Sequence, residues 1–158
     1  GDIGKLLPDG SIVLTGRAKD TIVLSSGENI EPGPLEEALL ASPLISQVML
    51  LGQDEKQLSA LVVPNVDPLF LWLQSKGVFI EKSLLNCSED ANLKRLLRSE
   101  INFLLQTREG SRPDERVGGI AFVLPFSIEN GLLTQTLKQR RNKILERDSS
   151  AIASIYGR

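Results

Sequence analysis

The sequence predicts an α+β domain, in which a small mixed, largely antiparallel sheet with flanking helices follows a β-hairpin. Short apolar segments rich in β-branched residues alternate with longer segments whose leucines recur at helical spacing. Pro, Gly and Asp cluster between these segments, as they do at turns. From residue 21 onward, the order strand, helix, strand, strand, helix, strand indicates a split βαβ-like arrangement with helices on one face of the sheet.

The N-terminal part is predicted to form a hairpin, a strand and a helix. KLL (residues 5–7) and IVL (12–14) flank the turn sequence PDGS, and TIVL (21–24) is a short β-branched segment. Pro32 and Pro34 open a helix over residues 35–41, because proline is tolerated in the first helical turn.

The rest of the chain continues the alternation of strands and helices. Asp67 is predicted to cap the second helix, which resembles an insertion in the split βαβ order. The predicted elements are strands over residues 45–51 and 58–63, a helix from Asp67 to Gly77, a helix over 88–108, a strand over 120–124 and a basic helix from about residue 137.

Composition excludes several classes of function. A chain of 158 residues suits one domain, and 41% hydrophobic with 24% charged residues is the balance of a soluble globular protein. The net charge of −2 argues against a nucleic-acid binder. Because there is no His, Ser-His-Asp and Cys-His chemistry and most zinc sites are excluded. Cys87 has no partner for an intrachain disulfide, and no apolar run is long enough to span a membrane.

Charge is distributed unevenly along the chain. Residues 26–60 carry six acidic side chains and one Lys, whereas residues 130–158 carry six basic and two acidic side chains. Two solvated surfaces would account for this pattern, and so would a basic C-terminal region that meets phosphates.

Three strings, in order along the chain, carry a family resemblance. GRAKD (residues 16–20), a strand and then SGENIEPGPLE (26–36) resemble the GRxKD…GxNIxPxxIE signature of adenylate-forming enzymes. GDIG (1–4) resembles the TGDxG string that precedes it, and NGLLTQTLK (130–138) resembles the NGLLTPTxK string of long-chain acyl-CoA synthetases. The chain is therefore similar to the C-terminal domain of an AMP-forming acyl-CoA synthetase, in the long-chain fatty acid CoA ligase and acyl-acyl carrier protein synthetase branch.

The resemblance implies a two-step reaction and a division into domains. A fatty acid attacks the α-phosphate of ATP to give an acyl adenylate, and a thiol of CoA or acyl carrier protein then displaces AMP. ATP, Mg²⁺ and the acceptor would bind with a large N-terminal domain of the same polypeptide. Residues 1–16 would be a hairpin and the end of that preceding domain, and residues 17–158 the mobile C-terminal domain. The opening inside a motif, without an initiator Met, indicates a piece of a longer chain.

Lys138 matches the catalytic lysine of the family, at the end of its string. An ammonium group can neutralise the charge that develops on phosphate and carboxylate oxygens during adenylation. From charge alone, a solvated lysine in the basic run KQRR is the favoured interpretation, and the motif match reverses that preference. Gln135 stands where the branch usually has Pro, which loosens the loop but leaves the ammonium in place.

Two further residues match positions near the nucleotide. Asp2 matches a family carboxylate that accepts hydrogen bonds from the ribose hydroxyls, and a carboxylate can accept from both. Arg17 matches a residue on the ribose and phosphate side. The alternatives are a frayed terminal Asp2 and a surface ion pair between Arg17 and Asp20.

Asp20 matches the family hinge, which needs a short connector that absorbs a large change in φ and ψ, although an ordinary turn would look the same. Gly27 matches the loop that lines the pantetheine tunnel, and Glu28 is grouped with it as CoA-binding. A plain loop glycine and a solvated carboxylate are the alternatives. No residue is assigned to a metal.

Two functions remain open from the sequence. The first is the C-terminal domain of a long-chain fatty acid ligase, inactive alone, which supplies Lys138 for adenylation and a thiol-tunnel loop for thioester formation. The second is a stand-alone, non-catalytic binding or carrier-docking module of the same fold. The expected location is cytoplasmic, with peripheral attachment to a membrane left open.

Overall fold

The computed structural model describes residues 3–6, 12–16, 20–87 and 90–157 of the chain. Strands β1 (Ile3–Leu6) and β2 (Ile12–Gly16) pair antiparallel, as the sequence predicts. The predicted turn between them lies outside the described residues.

A three-stranded sheet forms the centre of the domain, in the order β5 (Ile45–Leu51), β6 (Leu58–Pro64), β7 (Val117–Phe122). β5 and β6 are antiparallel, whereas β6 and β7 are parallel. Every residue of β6 is buried, because the strand has neighbours on both sides and packed side chains on both faces. The predicted α+β class, with a small mixed sheet and flanking helices, is confirmed.

Helices cover both faces of the sheet, whereas the sequence predicted helices on one face. Leucines of α1 (Pro32–Leu40), α2 (Val66–Ser75) and α3 (Ala91–Thr107) pack on the face that contains Val48 and Val62. Met49 and Leu61 point to the opposite face, since side chains alternate along a strand. That face is covered by α4 (Arg141–Arg147) and α5 (Ser149–Ile155).

The strand predicted at residues 21–24 does not join this sheet. β3 (Ile22–Val23) pairs with β4 (Asn29–Ile30) in a separate two-stranded ladder. The Val23 carbonyl accepts the N–H of Asp54, and the Val23 N–H donates to the side chain of Gln53. The backbone of β3 is therefore satisfied by β4 and by the turn between β5 and β6.

Helix ends follow their capping chemistry, with two corrections to the prediction. α2 begins at Val66 rather than at a cap formed by Asp67, whose carboxylate lies in the first turn and pairs with Lys82. Gly77, with φ of 78°, follows the end of α2 as predicted. α3 is capped by Asp90, which accepts the N–H of Leu93 at 2.9 Å.

The second correction concerns the basic helix predicted from about residue 137. It begins only at Arg141, because the residues before it form a closed turn, and it is followed by a second short helix, α5. A 3₁₀ helix, Lys82–Cys87, also lies between α2 and α3, where the sequence predicted no element.

Candidate functional site

Lys138 lies at the exit of a tight turn that begins at Thr134. The Thr134 N–H donates to the Lys138 carbonyl at 2.8 Å, and the Lys138 N–H donates to the Thr134 hydroxyl at 3.1 Å. Leu137, which is 66% exposed, has φ of 64°, a left-handed conformation that costs a non-glycine residue about 1–2 kcal/mol. Closed turns that hold such strain are common at functional sites, and this one presents Lys138 on the surface.

Side chains hold this turn against β5, an edge strand of the sheet. The Gln139 amide donates to the Val48 carbonyl at 2.7 Å, and the Arg140 N–H donates to the Leu132 carbonyl at 2.8 Å. The Gln47 amide exchanges two hydrogen bonds with the backbone of Phe126, at 2.8 and 2.9 Å. Exposed strand edges are usually protected, and here polar side chains close the edge and fix the loop that carries Lys138.

A buried ion pair lies immediately after the turn. The Glu36 carboxylate, on α1, accepts two hydrogen bonds from the Arg141 guanidinium, at 2.6 and 3.0 Å, and a third from the Leu50 N–H at 2.7 Å. Nε of Arg141 lies 3.5 Å from Oδ1 of Asp20. Arg141 therefore connects three segments: the connector at Asp20, helix α1 and the start of α4.

Burial raises the pKa of Glu36 above its ordinary value, with the nearby Asp20 charge adding to the rise. The hydrogen bonds and charge of Arg141 and the N–H of Leu50 oppose that rise without cancelling it. The carboxyl thus remains costly to ionise even though it is well bonded.

This pKa predicts how stability depends on pH. Below pH 4.5, the ordinary value, Glu36 is protonated in both the folded and unfolded chain. Above it, the unfolded carboxyl ionises first, so stability is lost as pH rises through the folded pKa. The Glu36→Gln variant has an amide there, which does not titrate. Urea unfolding at pH values from below 4.5 to neutrality should therefore give a free energy of unfolding for wild type, minus that of Glu36→Gln, that falls as pH rises. A difference that grows with pH would mean that Arg141 outweighs burial.

Asp20 and the Lys138 turn meet in one open cleft of about 320 Å³. Its lining includes Asp20, Thr134 and residues 139–142. Asp20 therefore lines the same cleft as Thr134 and Gln139, the residues on either side of the turn that carries Lys138. Asp2 and Arg17 lie outside the described residues.

Gly27 lies in a second turn, between β3 and β4. Its φ of 92° is a left-handed conformation suited to glycine, and nothing lies within 4 Å of the place a Cβ would occupy. The Gly27 N–H donates to the Leu24 carbonyl at 2.8 Å, and the Leu24 N–H donates to the Glu28 carbonyl at 2.9 Å. The Ser25 N–H donates to the Glu55 carbonyl, so this turn is attached to the hairpin that follows β5.

Glu28 is half-buried and has a partner that the sequence analysis missed. Arg112, in the loop after α3, lies 3.4 Å from the Glu28 carboxylate and donates to the Asn29 carbonyl at 2.6 Å. The Arg112 N–H is in turn accepted by the buried Glu115 carboxylate at 2.8 Å. Only the run of charges at residues 108–116 could have indicated this contact from the sequence.

The two turns lie at different parts of the domain. The Lys138 turn is held at Val48, within β5, whereas the Gly27 turn is held at Glu55, beyond the end of that strand. Val48 lies three residues before the end of β5, which is about 10 Å of extended strand, and Glu55 lies in the turn that follows. The cationic turn and the glycine turn are therefore attached to different segments of the domain.

Two of the basic residues near the C-terminus make contacts within the domain. Arg141 bonds Glu36, and Arg147 donates to the carbonyls of Leu124 and Pro125 and pairs with Asp148. Among the described residues, no group of three or more His, Cys, Asp or Glu could hold a metal ion. In the same part of the chain, no helix is long and apolar enough to cross a membrane.

Comparison with solved structures gives the class of the domain. The chain superposes with a TM-score of 0.75 and 25% identity on the adenylation domain of a carboxylate reductase from Mycobacterium chelonae, over 100% of this chain and 23% of that one. The adenylation domain of the Segniliparus rugosus carboxylic acid reductase, solved with AMP, gives 0.71 and 25%, over 99% and 23%. The fold is that of the C-terminal portion of an adenylate-forming enzyme.

Residues 19–94 match the family model of the AMP-binding enzyme C-terminal domain, and the chain belongs to this family. It is 36% identical to the probable acyl-activating enzyme 16, chloroplastic, of Arabidopsis thaliana, over 99% of this chain and 22% of that protein. It is 34% identical to the human long-chain-fatty-acid–CoA ligase 1, over 99% and 22%. A long-chain-fatty-acid–[acyl-carrier-protein] ligase of Arabidopsis thaliana is 38% identical, over 93% and 18%. The chain thus spans about a fifth of the length of these relatives.

Proposed function

We propose that this chain acts as the mobile C-terminal domain of an ATP-dependent, AMP-forming ligase that joins long-chain fatty acids to CoA or to acyl carrier protein. Residues 17–158 would form the moving domain, and residues 1–16 would belong to the preceding domain and its linker. The main support is that one domain carries both a cationic turn at Lys138 and a glycine turn at Gly27, which are attached to different segments of it. A rotation of the domain between the two half-reactions would then bring first one turn and then the other to a shared cleft.

In the first half-reaction, a fatty acid oxygen bonds to the α-phosphorus of ATP while the bond to the pyrophosphate leaving group breaks. Lys138 would stabilise the negative charge that develops on the oxygens around phosphorus. Asp2 and Arg17 would bind the ribose and phosphate side of the nucleotide. Mg²⁺ would be held mainly by the ATP phosphates, which is its usual arrangement.

In the second half-reaction, a thiol attacks the acyl carbon and AMP leaves with the bonding electron pair. Gly27 would line the path of the pantetheine arm, since a turn without a side chain leaves room for close backbone approach. Glu28 would lie beside that path and is oriented by Arg112. Asp20 would be the hinge about which the domain turns between the two steps.

The experiment compares this chain alone with the chain joined to a large N-terminal domain. In a chimera, it replaces the corresponding C-terminal portion of the Arabidopsis long-chain-fatty-acid–[acyl-carrier-protein] ligase. Pyrophosphate release is measured with ATP, Mg²⁺ and a long-chain fatty acid, and thioester formation with CoA or acyl carrier protein. We expect the chain alone to be inactive and the chimera to complete both steps.

The large domain alone is the control for the chimera. Turnover by this chain alone would show that the cleft needs no second domain. A folded chimera that is no faster than the large domain alone would instead favour the stand-alone binding module.

A further inference from the structure

We propose that Arg141 is a positioning residue for adenylation, which joins Asp20 to Glu36 and so fixes the turn that carries Lys138. The inference rests on the proposed function, because it gives Arg141 its role through Lys138. Arg141 lines the cleft beside Asp20, but most of its side chain lies within the domain, and only 18% of it is exposed.

The contacts of Arg141 use its whole guanidinium group. Both terminal nitrogens donate to the Glu36 carboxylate, at 2.6 and 3.0 Å, while Nε faces Asp20 at 3.5 Å. A planar guanidinium can make this forked pair and a third contact at once, whereas a lysine ammonium is a single point charge. The pair with Glu36 is short and bidentate, and the contact with Asp20 is single and longer. The first suits a permanent anchor, and the second suits a contact that a hinge movement could release.

Arg141 is the third residue after Lys138 and the first of α4. The turn is closed by its own hydrogen bonds, but its position relative to the sheet depends on the residues that come after it. Gln139 bonds Val48, and Arg141 bonds Glu36, which also accepts the Leu50 N–H. Both anchors therefore lead to the outer edge of β5, two residues apart. Without the second anchor, the turn keeps the contacts of Gln139 and of the Arg140 backbone but loses its connection to α1.

The test uses the full-length ligase with Arg141→Gln combined with Glu36→Gln. The double change removes both charges of the Glu36–Arg141 pair together, and the amide oxygen that Glu36→Gln introduces can still accept the Leu50 N–H. We expect acyl-adenylate formation to slow by about 10²-fold at saturation, the scale for misplacing a catalytic group. The KM values for ATP and fatty acid should stay within about two-fold of wild type. The change is expected to remove an interaction that is made only in the transition state, and such a loss lowers kcat without raising KM. Thioester formation from supplied acyl adenylate should be unchanged.

A second measurement separates positioning from general loosening of the domain. If Arg141 acts through Lys138, the Glu36→Gln, Arg141→Gln pair should add nothing further to adenylation in the Lys138→Ala background. The proposal would be overturned if the pair slowed adenylation in the Lys138→Ala background by the same factor as in wild type. It would also be overturned if the Glu36→Gln, Arg141→Gln enzyme formed acyl adenylate at the wild-type rate. The matched control is Arg116→Gln, which removes an exposed arginine from the loop before β7, at the other edge of the sheet.

The outcomes distinguish this inference from the proposed function. If the wild-type full-length protein forms no acyl adenylate, the function is wrong. If wild type forms it, and the neutralised pair raises KM or slows both half-reactions equally, the function stands and the positioning role fails. Arg141→Lys, which keeps the charge but lacks the fork, should be slower than wild type and faster than the neutralised pair.

Discussion

Lys138→Ala in the full-length ligase should slow acyl-adenylate formation by roughly 10²–10³-fold, the usual scale for removing one preorganised group that stabilises a transition state. Thioester formation from supplied acyl adenylate should be nearly unchanged, because the rotated domain would then carry Lys138 away from the cleft. The measurement is a pair of half-reaction assays on wild type and variant.

The turn makes this variant a clean test. The hydrogen bonds that close it involve the backbone of Lys138, and the strained φ belongs to Leu137, so truncating the lysine side chain leaves the turn intact. An exposed side chain contributes little to stability, so wild type and variant should melt at similar temperatures. Lys138→Arg is the matched control: it keeps the charge but changes its reach and geometry, and should lose less activity than Lys138→Ala.

Two outcomes would contradict the role of Lys138. If both half-reactions fall together without a change in melting temperature, Lys138 does not act in one step alone. If neither falls, Lys138 is a solvated lysine, and the cation for adenylation must be sought elsewhere, first at the exposed Arg140.

Local chemistry made much of the fold predictable. The strands at residues 45–51 and 58–63 are almost wholly apolar, and Gly52 with polar residues between them indicates a hairpin. Leu93, Leu97 and Leu105 repeat on one face of α3. These signals are short in range, and the structure confirms them.

The features that the sequence did not predict depend on contacts between distant segments. The helices after residue 140 cover the second face of the sheet. That face needs a cover because β6 lies at the centre of the sheet and is apolar on both sides, and its central position is set by tertiary contacts. Glu36 and Arg141 are 105 residues apart, and each alone resembles a surface charge. A signal did exist: Glu36 lies one residue after Leu35 and three before Leu39, so it borders the apolar face of α1, where an acidic residue requires a partner.

The catalytic role of Lys138 was predicted from the family resemblance, since charge alone favoured a solvated lysine. The structure adds the closed turn and the contacts that fix it to β5. The run of charges at residues 108–116 could indicate that Arg112 has an acidic partner, but a polar loop gives no periodic signal that would identify Glu28 as that partner. Sequence motifs thus selected the candidate residues, and tertiary packing determines which side chains hold them.

The second large effect is expected from Asp20→Pro in the full-length ligase. Proline fixes φ near −65°, so a hinge that must change its backbone angles would be locked. If the locked orientation is the one for adenylation, acyl adenylate should form at close to the wild-type rate while thioester formation fails. Both are measured as separate half-reactions, with wild type run in parallel.

Asp20→Pro also removes the carboxylate that faces Nε of Arg141 at 3.5 Å, so the variant changes two things at once. Asp20→Ala is the control that separates them, because it removes the same contact and leaves φ free. A partly buried ion pair of this kind contributes on the order of 1 kcal/mol, which could shift the balance of orientations by about five-fold but could not abolish a step. If Asp20→Ala loses thioester formation as fully as Asp20→Pro does, the carboxylate is essential and the hinge assignment fails. If Asp20→Ala keeps both steps and only the proline variant loses the second, the backbone freedom of residue 20 is what the reaction requires.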